Sequence, residues 1–282
     1  MSPDLIYDVG MNNGDDTAYY LLRGYRVIAI EANPILAKAG AQRFAAEIAA
    51  GRLKILNVGI SDREGDFPFW ICEAKSEWSS FHREIASRDG SPNHEVTIPC
   101  RQIASIVAEH GVPFYLKIDI EGNDMLCLQG LPGGDLPKYV SLEAAVSDPL
   151  THLTSVGYSG FKCISQRNYL ALQIPACDEQ LRFEGALENL YSPNIFMRAL
   201  RCLGAKWLWN RQLDESRTRG AWKFPWGSSG PFGEDLPGRW QTADEMRKTY
   251  RSFDELCRNG APGIFWDRKE YSFWVDLHAR RD

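Results

Sequence analysis

Short runs of apolar and β-branched residues alternate with segments of helical periodicity through the first half of the chain. This alternation is typical of βαβ units and of a mostly parallel sheet. The runs "VIAI" and "YLKIDI" are almost continuously apolar, as expected for strands that helices cover on both faces. We therefore expect an α/β fold with a sheet of about seven strands. The predicted strands span residues 5–9, 26–31, 53–60, 114–120, 139–143, 161–165 and 169–174.

A helix is predicted between the second and third strands. Asn33 suits the N-cap, because its side chain can accept a hydrogen bond from an amide of the first turn, and Pro34 suits the first helical position. Gly51 can end the helix. Apolar side chains recur between these limits at helical spacing, at Leu36, Ala39, Phe44 and Ile48.

Charge and composition exclude several classes of protein. A net charge of −5 argues against nucleic acid as a partner, since a phosphate backbone calls for concentrated Lys and Arg. The 7 cysteines are scattered without a CxxC pair, so neither a disulfide framework nor a zinc site is predicted. No segment approaches the length of about 18 apolar residues that a membrane helix needs, and the amino terminus lacks the pattern of a signal peptide. We expect a soluble, cytoplasmic protein.

Two parts of the chain depart from the alternating pattern. Residues 66–100 indicate a hairpin-like insertion within a first domain of residues 1–200. Residues 201–282 form a carboxyl-terminal extension that holds seven of the 9 tryptophans and the Gly- and Pro-rich stretch "FPWGSSGPFGEDLPGRW". Such aromatics can close a site as a lid, with glycines as hinges, or can cover the sheet and a homo-oligomer interface. We favour the lid.

A glycine turn follows the first strand in "DVGMNNGDDT". Gly10 and Gly14 do not continue as GxGxxG, and Asp15 and Asp16 would repel a pyrophosphate, so a dinucleotide is a poor match. Glu31 closes the second strand 21 residues after Gly10, where a carboxylate can accept hydrogen bonds from both hydroxyls of a ribose. A ribose without phosphates, joined to a cationic group, describes S-adenosylmethionine.

Several segments together resemble the FkbM family of S-adenosylmethionine-dependent methyltransferases: "DVGMNNGDDT", "IEANP", "LNVGISDREGDFPFW", "LKIDIEGND" and "SLEA". The resemblance covers roughly residues 5–145. It implies a class I methyltransferase (Rossmann-like) fold, with seven strands of which the last is antiparallel, and methyl transfer to a hydroxyl of a sugar or natural product. Met11 departs from the family pattern, in which a small residue is more usual. The resemblance therefore does not predict the shape of the pocket for the methionine part of the cofactor.

The resemblance also places the cofactor pocket at the ends of the first three strands. Glu31 would hold the ribose, while Ser61 and Asp62 would contact the adenine amino group. Asp8 could instead only satisfy turn amides, and the two glycines could only permit positive φ. The full set implied for the cofactor is Asp8, Gly10, Asn12, Gly14, Thr17, Glu31, Asn33, Ser61 and Asp62.

Acidic residues follow the fourth and fifth strands, where the crevice of an open α/β sheet lies. Asp119 or Glu121 could accept the proton of the acceptor hydroxyl. Together with Glu143 they could instead hold Mg²⁺, or Asp119 could contact the cofactor ammonium while Glu121 caps the next helix. His278 is an alternative base, and Lys117 is expected to pair with one of the acids.

The function predicted is O-methylation of a small saccharide or natural product, using S-adenosylmethionine and, if a metal takes part, Mg²⁺. Ser79, Ser80, Glu143 and Ser228 are the candidate substrate contacts. Two alternatives stay open: a catalytically silent carbohydrate-binding or scaffold protein on the same fold, and a nucleotide-dependent oxidoreductase. No nucleic-acid or membrane partner is expected, and a homo-oligomer is possible.

Overall fold

The computed structural model describes two compact units, Met1–Ala144 with Ala279–Asp282, and Ala145–His278. This division lies earlier in the chain than residue 200, where the sequence placed the boundary between the methyltransferase domain and its extension. That functional boundary stays a prediction. The described residues are 1–131, 133–143, 147–166, 168–173, 199, 202–204, 207, 211, 214–259 and 274–282.

The first unit combines parallel strands with helices. Its strands are β1 (Ser2–Val9), β2 (Arg26–Ile30), β3 (Leu53–Leu56), β4 (Gly59–Ile60), β5 (Gly65–Cys72), β6 (Asn93–Arg101), β7 (Pro113–Ile118) and β8 (Tyr139–Glu143). Its helices are α1 (Asp15–Leu22), α2 (Pro34–Arg43), α3 (Ala45–Ala49), α4 (Arg83–Ala86), α5 (Ile103–His110) and α6 (Asp124–Gln129).

The main sheet of this unit has the strand order β8-β7-β1-β2-β3, and every neighbouring pair is parallel. Helix α1 packs on β1 and β2, and α6 packs on β7. The predicted α/β fold with a mostly parallel sheet is therefore confirmed. Because the chain winds away from β1 in both directions, the carboxyl ends of β1 and β7 flank a topological switch point, which is where open α/β sheets bind ligands.

The predicted helix after β2 begins as expected and ends early. The side chain of Asn33 accepts a hydrogen bond from the Ile35 amide at 3.0 Å, and Pro34 is the first residue of α2. The helix breaks at Phe44, which has φ −109° and ψ 27°, and α3 follows. The prediction of one helix up to Gly51 was therefore wrong. The Phe44 ring packs where a Cβ on Gly14 would lie, 2.6 Å from the nearest ring atom.

The insertion contains an antiparallel pair, β5 with β6, in a register from Gly65 opposite Cys100 to Cys72 opposite Asn93. Phe69, Ile71, Ile98 and Cys100 form its buried core. Strand β4 pairs with β6 and not with the main sheet. For that reason the predicted strand over residues 53–60 is two strands, β3 and β4, with a break between them.

The second unit contains α7 (Ser147–Ser155), β9 (Gly160–Ser165), β10 (Ala171–Leu172), β11 (Thr218–Arg219), β12 (Trp222–Lys223) and α8 (Ala243–Asn259), and most of β13 (Val275–Arg280). Strand β10 runs antiparallel to β9, and β13 lies on the other side of β9. The sequence did not predict β13 as a strand of the sheet. Within the described parts of the chain, none of the helices combines the length and the apolar character needed to cross a membrane.

Candidate active site

A cleft opens at the carboxyl ends of β1, β2 and β7, and the insertion forms one of its walls. Four of its lining residues are acids, and among the described residues that line it there is no Lys or Arg. The lining residues are Gly10, Asn12, Ile30, Glu31, Ala32, Leu36, Val58, Gly59, Ile60, Phe69, Ser76, Glu77, Ser79, Phe81, Asp119, Ile120 and Glu121. The cleft therefore suits a cationic ligand better than a polyphosphate.

Gly10 brings two strand ends into direct contact. It has φ +88°, and a Cβ at this position would lie 1.8 Å from the carbonyl oxygen of Asp119. Neither the backbone conformation nor the available space admits a side chain there. Met11, which departs from the family pattern, is buried and packs against Gly40 of α2, and it does not line the cleft.

Glu31 is buried at the carboxyl end of β2, and backbone amides fix both of its carboxylate oxygens. The Asn12 amide donates to Oε2 at 2.7 Å, and the Asn33 amide donates to Oε1 at 2.8 Å. Burial raises the pKa of Glu31 to about 7, against the opposing effect of these two hydrogen bonds. Each oxygen keeps a further lone pair, so the carboxylate can accept hydrogen bonds from two ligand hydroxyls.

A buried lysine lies beneath the glycine turn. The Nζ atom of Lys117 donates to the carbonyl oxygen of Gly10 at 2.9 Å, and lies 3.1 Å from Asp8 and 3.6 Å from both Asp16 and Asp119. Burial alone would lower the pKa of Lys117, but the charges of Asp8, Asp119 and Asp16 raise it well above its ordinary value. Lys117 is therefore a positively charged partner for these acids, as expected from the sequence, and supports the turn from below.

Asp8 and Thr17 complete this support. Asp8 is fully buried and accepts a hydrogen bond from the Thr17 hydroxyl at 2.6 Å. Burial raises the pKa of Asp8, while Lys117 opposes the rise. Neither Asp8 nor Thr17 lines the cleft. Both residues therefore support the glycine turn on the side that faces away from the cleft.

Glu121 lies in the loop after β7, and the insertion holds it at two points. It has φ +48°, its carbonyl oxygen accepts a hydrogen bond from the Ser80 hydroxyl at 2.7 Å, and Arg88 donates to its Oε2 at 3.0 Å. Burial raises the pKa of Glu121 to about 7, although Arg88 lowers it. A carboxylate with such a pKa can take up a proton near neutral pH.

Asp124, and not Glu121, holds the turn that leads into α6. Its carboxylate accepts hydrogen bonds from the amides of Ile120 and Gly122, both at 3.2 Å. Burial, together with the charge of Asp119, raises the pKa of Asp124 to about 6. The carboxylate of Glu121 is therefore not used as a helix cap.

The proposed Mg²⁺ site at Asp119, Glu121 and Glu143 is not supported. No group of three or more His, Cys, Asp or Glu side chains that could hold a metal ion occurs among the residues that the structure describes. Two of the three acids have cationic partners, since Asp119 lies 3.6 Å from Lys117 and Glu121 lies 3.0 Å from Arg88. Glu143 ends β8 outside the cleft lining, and burial together with the charges of Asp119 and Glu121 raises its pKa to about 8.

Of the other residues predicted to contact the cofactor or substrate, some line the cleft and others do not. Asn33 does not line the cleft, but its amide orients Glu31 and its side chain caps α2. Ser61 and Asp62 also lie outside the lining, where the Ser61 hydroxyl donates to Asp62 at 3.3 Å.

Ser79 does line the cleft, and its hydroxyl accepts from the Cys72 amide at 3.1 Å. Ser80 is buried, and its hydroxyl donates a hydrogen bond to the carbonyl oxygen of Glu121.

Two predicted residues belong to the second unit. His278 is buried, and its Nε2 has no hydrogen-bond partner in the described part of the chain. Burial and the charge of Lys162 lower the pKa of His278 to about 3, so its imidazole is neutral. Ser228 is buried, and its carbonyl oxygen accepts a hydrogen bond from the Tyr169 hydroxyl at 2.8 Å. A role for His278 as base or for Ser228 as substrate contact stays a prediction.

Three residues near the site were not predicted from the sequence. The side chain of Asn57 donates to the carbonyl oxygen of Glu31 at 2.8 Å and so ties the end of β3 to the end of β2. Ser76 and Arg88 contact the strand-end loops from the insertion. Asn57 directly precedes the "VG" of a family segment, but Ser76 and Arg88 lie in a polar loop with no pattern that marks them.

Comparison with known proteins gives one family match. The family model described as "Methyltransferase FkbM domain" matches residues 8–148. A search of curated proteins found no match. Similar solved structures include the C-terminal domain of precorrin-6Y C5,15-methyltransferase from Rhodobacter capsulatus. The two sequences are 14% identical, the alignment covers 58% of this chain and 67% of that chain, and the TM-score is 0.33.

A second structural neighbour is titled "StiE O-MT residues 942-1257", with 10% identity, 99% of this chain and 68% of that chain covered, and a TM-score of 0.38. Scores this low carry no argument about the present chain. The family match and the geometry of the cleft are the observations on which its function is inferred.

Proposed function

The chain belongs to the FkbM methyltransferase family, and from this premise we propose that it transfers a methyl group from S-adenosylmethionine to a hydroxyl of a small saccharide or natural product. Family membership supports methyl transfer in general. The observation that carries the choice of cofactor is the buried carboxylate of Glu31, which two backbone amides fix at the edge of the cleft. Such a carboxylate is suited to the two hydroxyls of a ribose.

The charges of the cleft support the same cofactor. S-adenosylmethionine carries an ammonium group and a sulfonium, and it has no phosphate. Asp119 and Glu121 line the cleft next to Gly10, where no Cβ obstructs the approach of a ligand to the backbone. We assign the amino-acid end of the cofactor to this side. A dinucleotide would bring two phosphates into a lining with four acids, which is unfavourable.

The insertion supplies an apolar wall that suits the adenine ring. Phe69 and Phe81 of the insertion line the cleft next to Ile60 of β4, and the rings of Phe69 and Phe81 pack edge to face with centroids 5.1 Å apart. Flat aromatic bases pack well against such side chains. We therefore propose this wall for adenine in place of Ser61 and Asp62, which lie outside the lining.

The chemistry needs an electrophilic methyl group, which S-adenosylmethionine supplies when bound. The protein must then orient the acceptor hydroxyl and remove its proton. We propose Glu121 as the proton acceptor, since its carboxylate lines the cleft and its pKa is about 7. Asp119 is the second candidate, and its carboxylate faces Lys117.

Calorimetric titration tests the cofactor assignment. S-adenosylmethionine and its demethylated product, S-adenosylhomocysteine, should both bind, whereas NAD should not. Glu31→Ala should weaken binding by about 10- to 100-fold, because charge-assisted hydrogen bonds to the ribose are lost. Glu47→Ala is the matched control, because the partly exposed side chain of Glu47 pairs with Arg52 at 3.7 Å and does not line the cleft. Binding of NAD alone would refute the proposal, and binding of none of the three would favour a silent scaffold.

A further inference from the structure

The loop between β5 and β6, residues 73–92, contacts the glycine turn through one pair of side chains. The Ser76 hydroxyl donates to Oδ1 of Asn12 at 3.1 Å. Asn12 has φ +49°, in the left-handed region, which Asn adopts more readily than most residues with a Cβ but which still costs free energy. The contact therefore falls on a residue whose conformation needs support.

Asn12 transmits this support to the proposed ribose carboxylate. Its backbone amide donates to Oε2 of Glu31 at 2.7 Å. Because this amide belongs to the residue whose side chain Ser76 holds, a shift of Asn12 would lengthen or misalign the hydrogen bond to Glu31. Ser76, Asn12 and Glu31 thus form a chain from the insertion to the cofactor site.

Hydrogen bonds close to Ser76 hold its loop in place. Four residues further on, the backbone of Ser80 makes two hydrogen bonds with Trp70 of β5, at 2.8 and 3.0 Å. The Ser80 hydroxyl, in turn, is bound to the carbonyl oxygen of Glu121 at 2.7 Å. The loop is therefore anchored at both strand-end loops that flank the cleft.

We propose that Ser76 is a positioning residue for the methyl donor: it holds Asn12 in the left-handed conformation and so keeps the Glu31 carboxylate aligned for the ribose. This inference rests on the proposed function, because it takes Glu31 to be the ribose ligand. It assigns to the insertion a part in binding the donor, whereas the sequence indicated a part in binding the acceptor. Ser76 acts here through Asn12 and not by its own contact with the ligand.

Titration with S-adenosylhomocysteine measures the effect without an acceptor. Ser76→Ala should raise the dissociation constant by about three- to tenfold, the range expected for one lost hydrogen bond. Ser87→Ala is the matched control, because the Ser87 hydroxyl donates only to the Glu84 carbonyl in its own turn, at 3.4 Å. The control should bind as the wild type does, and thermal unfolding should show that both variants are folded.

A double-mutant cycle with Asn12→Gly tests the route of the effect. Glycine adopts positive φ freely and has no side chain for Ser76 to hold. Ser76→Ala should then cause no further loss in the Asn12→Gly background. An equal loss in both backgrounds would show that Ser76 contacts the ligand directly and would overturn the inference, as would an unchanged dissociation constant in Ser76→Ala. If the wild type binds neither S-adenosylmethionine nor S-adenosylhomocysteine, the proposed function itself has failed.

Discussion

The ammonium group of Lys117 lies 3.1 Å from the carboxylate of Asp8, and both side chains are buried. Removing one partner of a buried ion pair leaves an uncompensated charge, so Lys117→Met should lower the free energy of unfolding by about 3–5 kcal/mol in urea denaturation. Lys54→Met is the control, because Lys54 is half exposed and its pair with Glu109 is at the surface. The two variants should differ clearly, and equal stability would show that the buried pair is not needed.

Two glycines with nearly the same backbone conformation allow the cost of a steric clash to be separated from the cost of positive φ. Gly10 has φ +88°, and Gly24 has φ +87°, but a Cβ would meet the Asp119 carbonyl oxygen at Gly10 and nothing within 4 Å at Gly24. Gly24→Ala should destabilise the protein by about 1 kcal/mol, the cost of the left-handed conformation alone. Gly10→Ala should cost about 3 kcal/mol or more, because β1 and β7 must also separate. Chemical denaturation measures both, and similar losses would contradict the close contact.

Affinity for the donor should depend on pH through Glu31. Its folded pKa is about 7, and the ribose hydroxyls donate to the ionised form. Binding should therefore release protons and should weaken as the pH falls from 8 to 6. Calorimetry of S-adenosylhomocysteine binding in buffers of different ionisation enthalpy measures the released protons. Glu31→Gln should reduce this dependence to the part that Glu121, with its pKa of about 7, contributes, and a pH-independent affinity in the wild type would contradict the assignment.

The same carboxyl group makes stability depend on pH in the opposite sense. Because burial raises the folded pKa of Glu31 above its ordinary value of 4.5, the folded protein binds the proton more tightly than the unfolded chain does. The contribution to stability is then present below pH 4.5 and is lost as the pH rises through about 7. Relative to Glu31→Gln, the wild type should lose on the order of 3 kcal/mol between pH 4 and pH 8. Urea unfolding at both pH values measures this difference.

Glu121→Gln should separate chemistry from binding. If Glu121 accepts the proton, turnover should fall by about 100-fold or more, while the affinity for S-adenosylhomocysteine should fall much less, because Asp119 still lies on the side assigned to its ammonium group. Transfer of labelled methyl from S-adenosylmethionine into a metabolite extract measures turnover, and a chelator should leave it unchanged. Glu109→Gln, at a surface ion pair, is the control. Undiminished transfer by Glu121→Gln would move the role to Asp119.

The order of elements along the first unit could be predicted because local signals and the fold agree there. The apolar strands, the Asn33 cap and the position of Glu31 follow from residues that are near in sequence. The break at Phe44 was not predicted, since apolar residues at helical spacing continue across it, and the packing of the Phe44 ring beside Gly14 joins residues far apart in the chain. Such contacts leave no periodic trace.

The residues that the insertion brings to the site were harder to predict than those at the strand ends. Gly10 and Glu31 are placed by strand ends, and the sequence marks those ends. Ser76 and Arg88 are placed by the pairing of β5 with β6, and only that register brings their loop to the cleft. The prediction of Ser61 and Asp62 for adenine rests on their closeness in sequence to β3, and the chain leaves the main sheet at that point to form β4.

The packing of Phe44 against Gly14 has a consequence for how such chains can diverge. A methyl group at position 14 would overlap the phenyl ring, and a smaller residue at position 44 would vacate the volume that the methyl group needs. Substitutions at these two sites should consequently be tolerated better together than one at a time, although a side chain at position 14 still bears the cost of φ +82°. In a library that randomises both codons, the surviving pairs should conserve summed side-chain bulk.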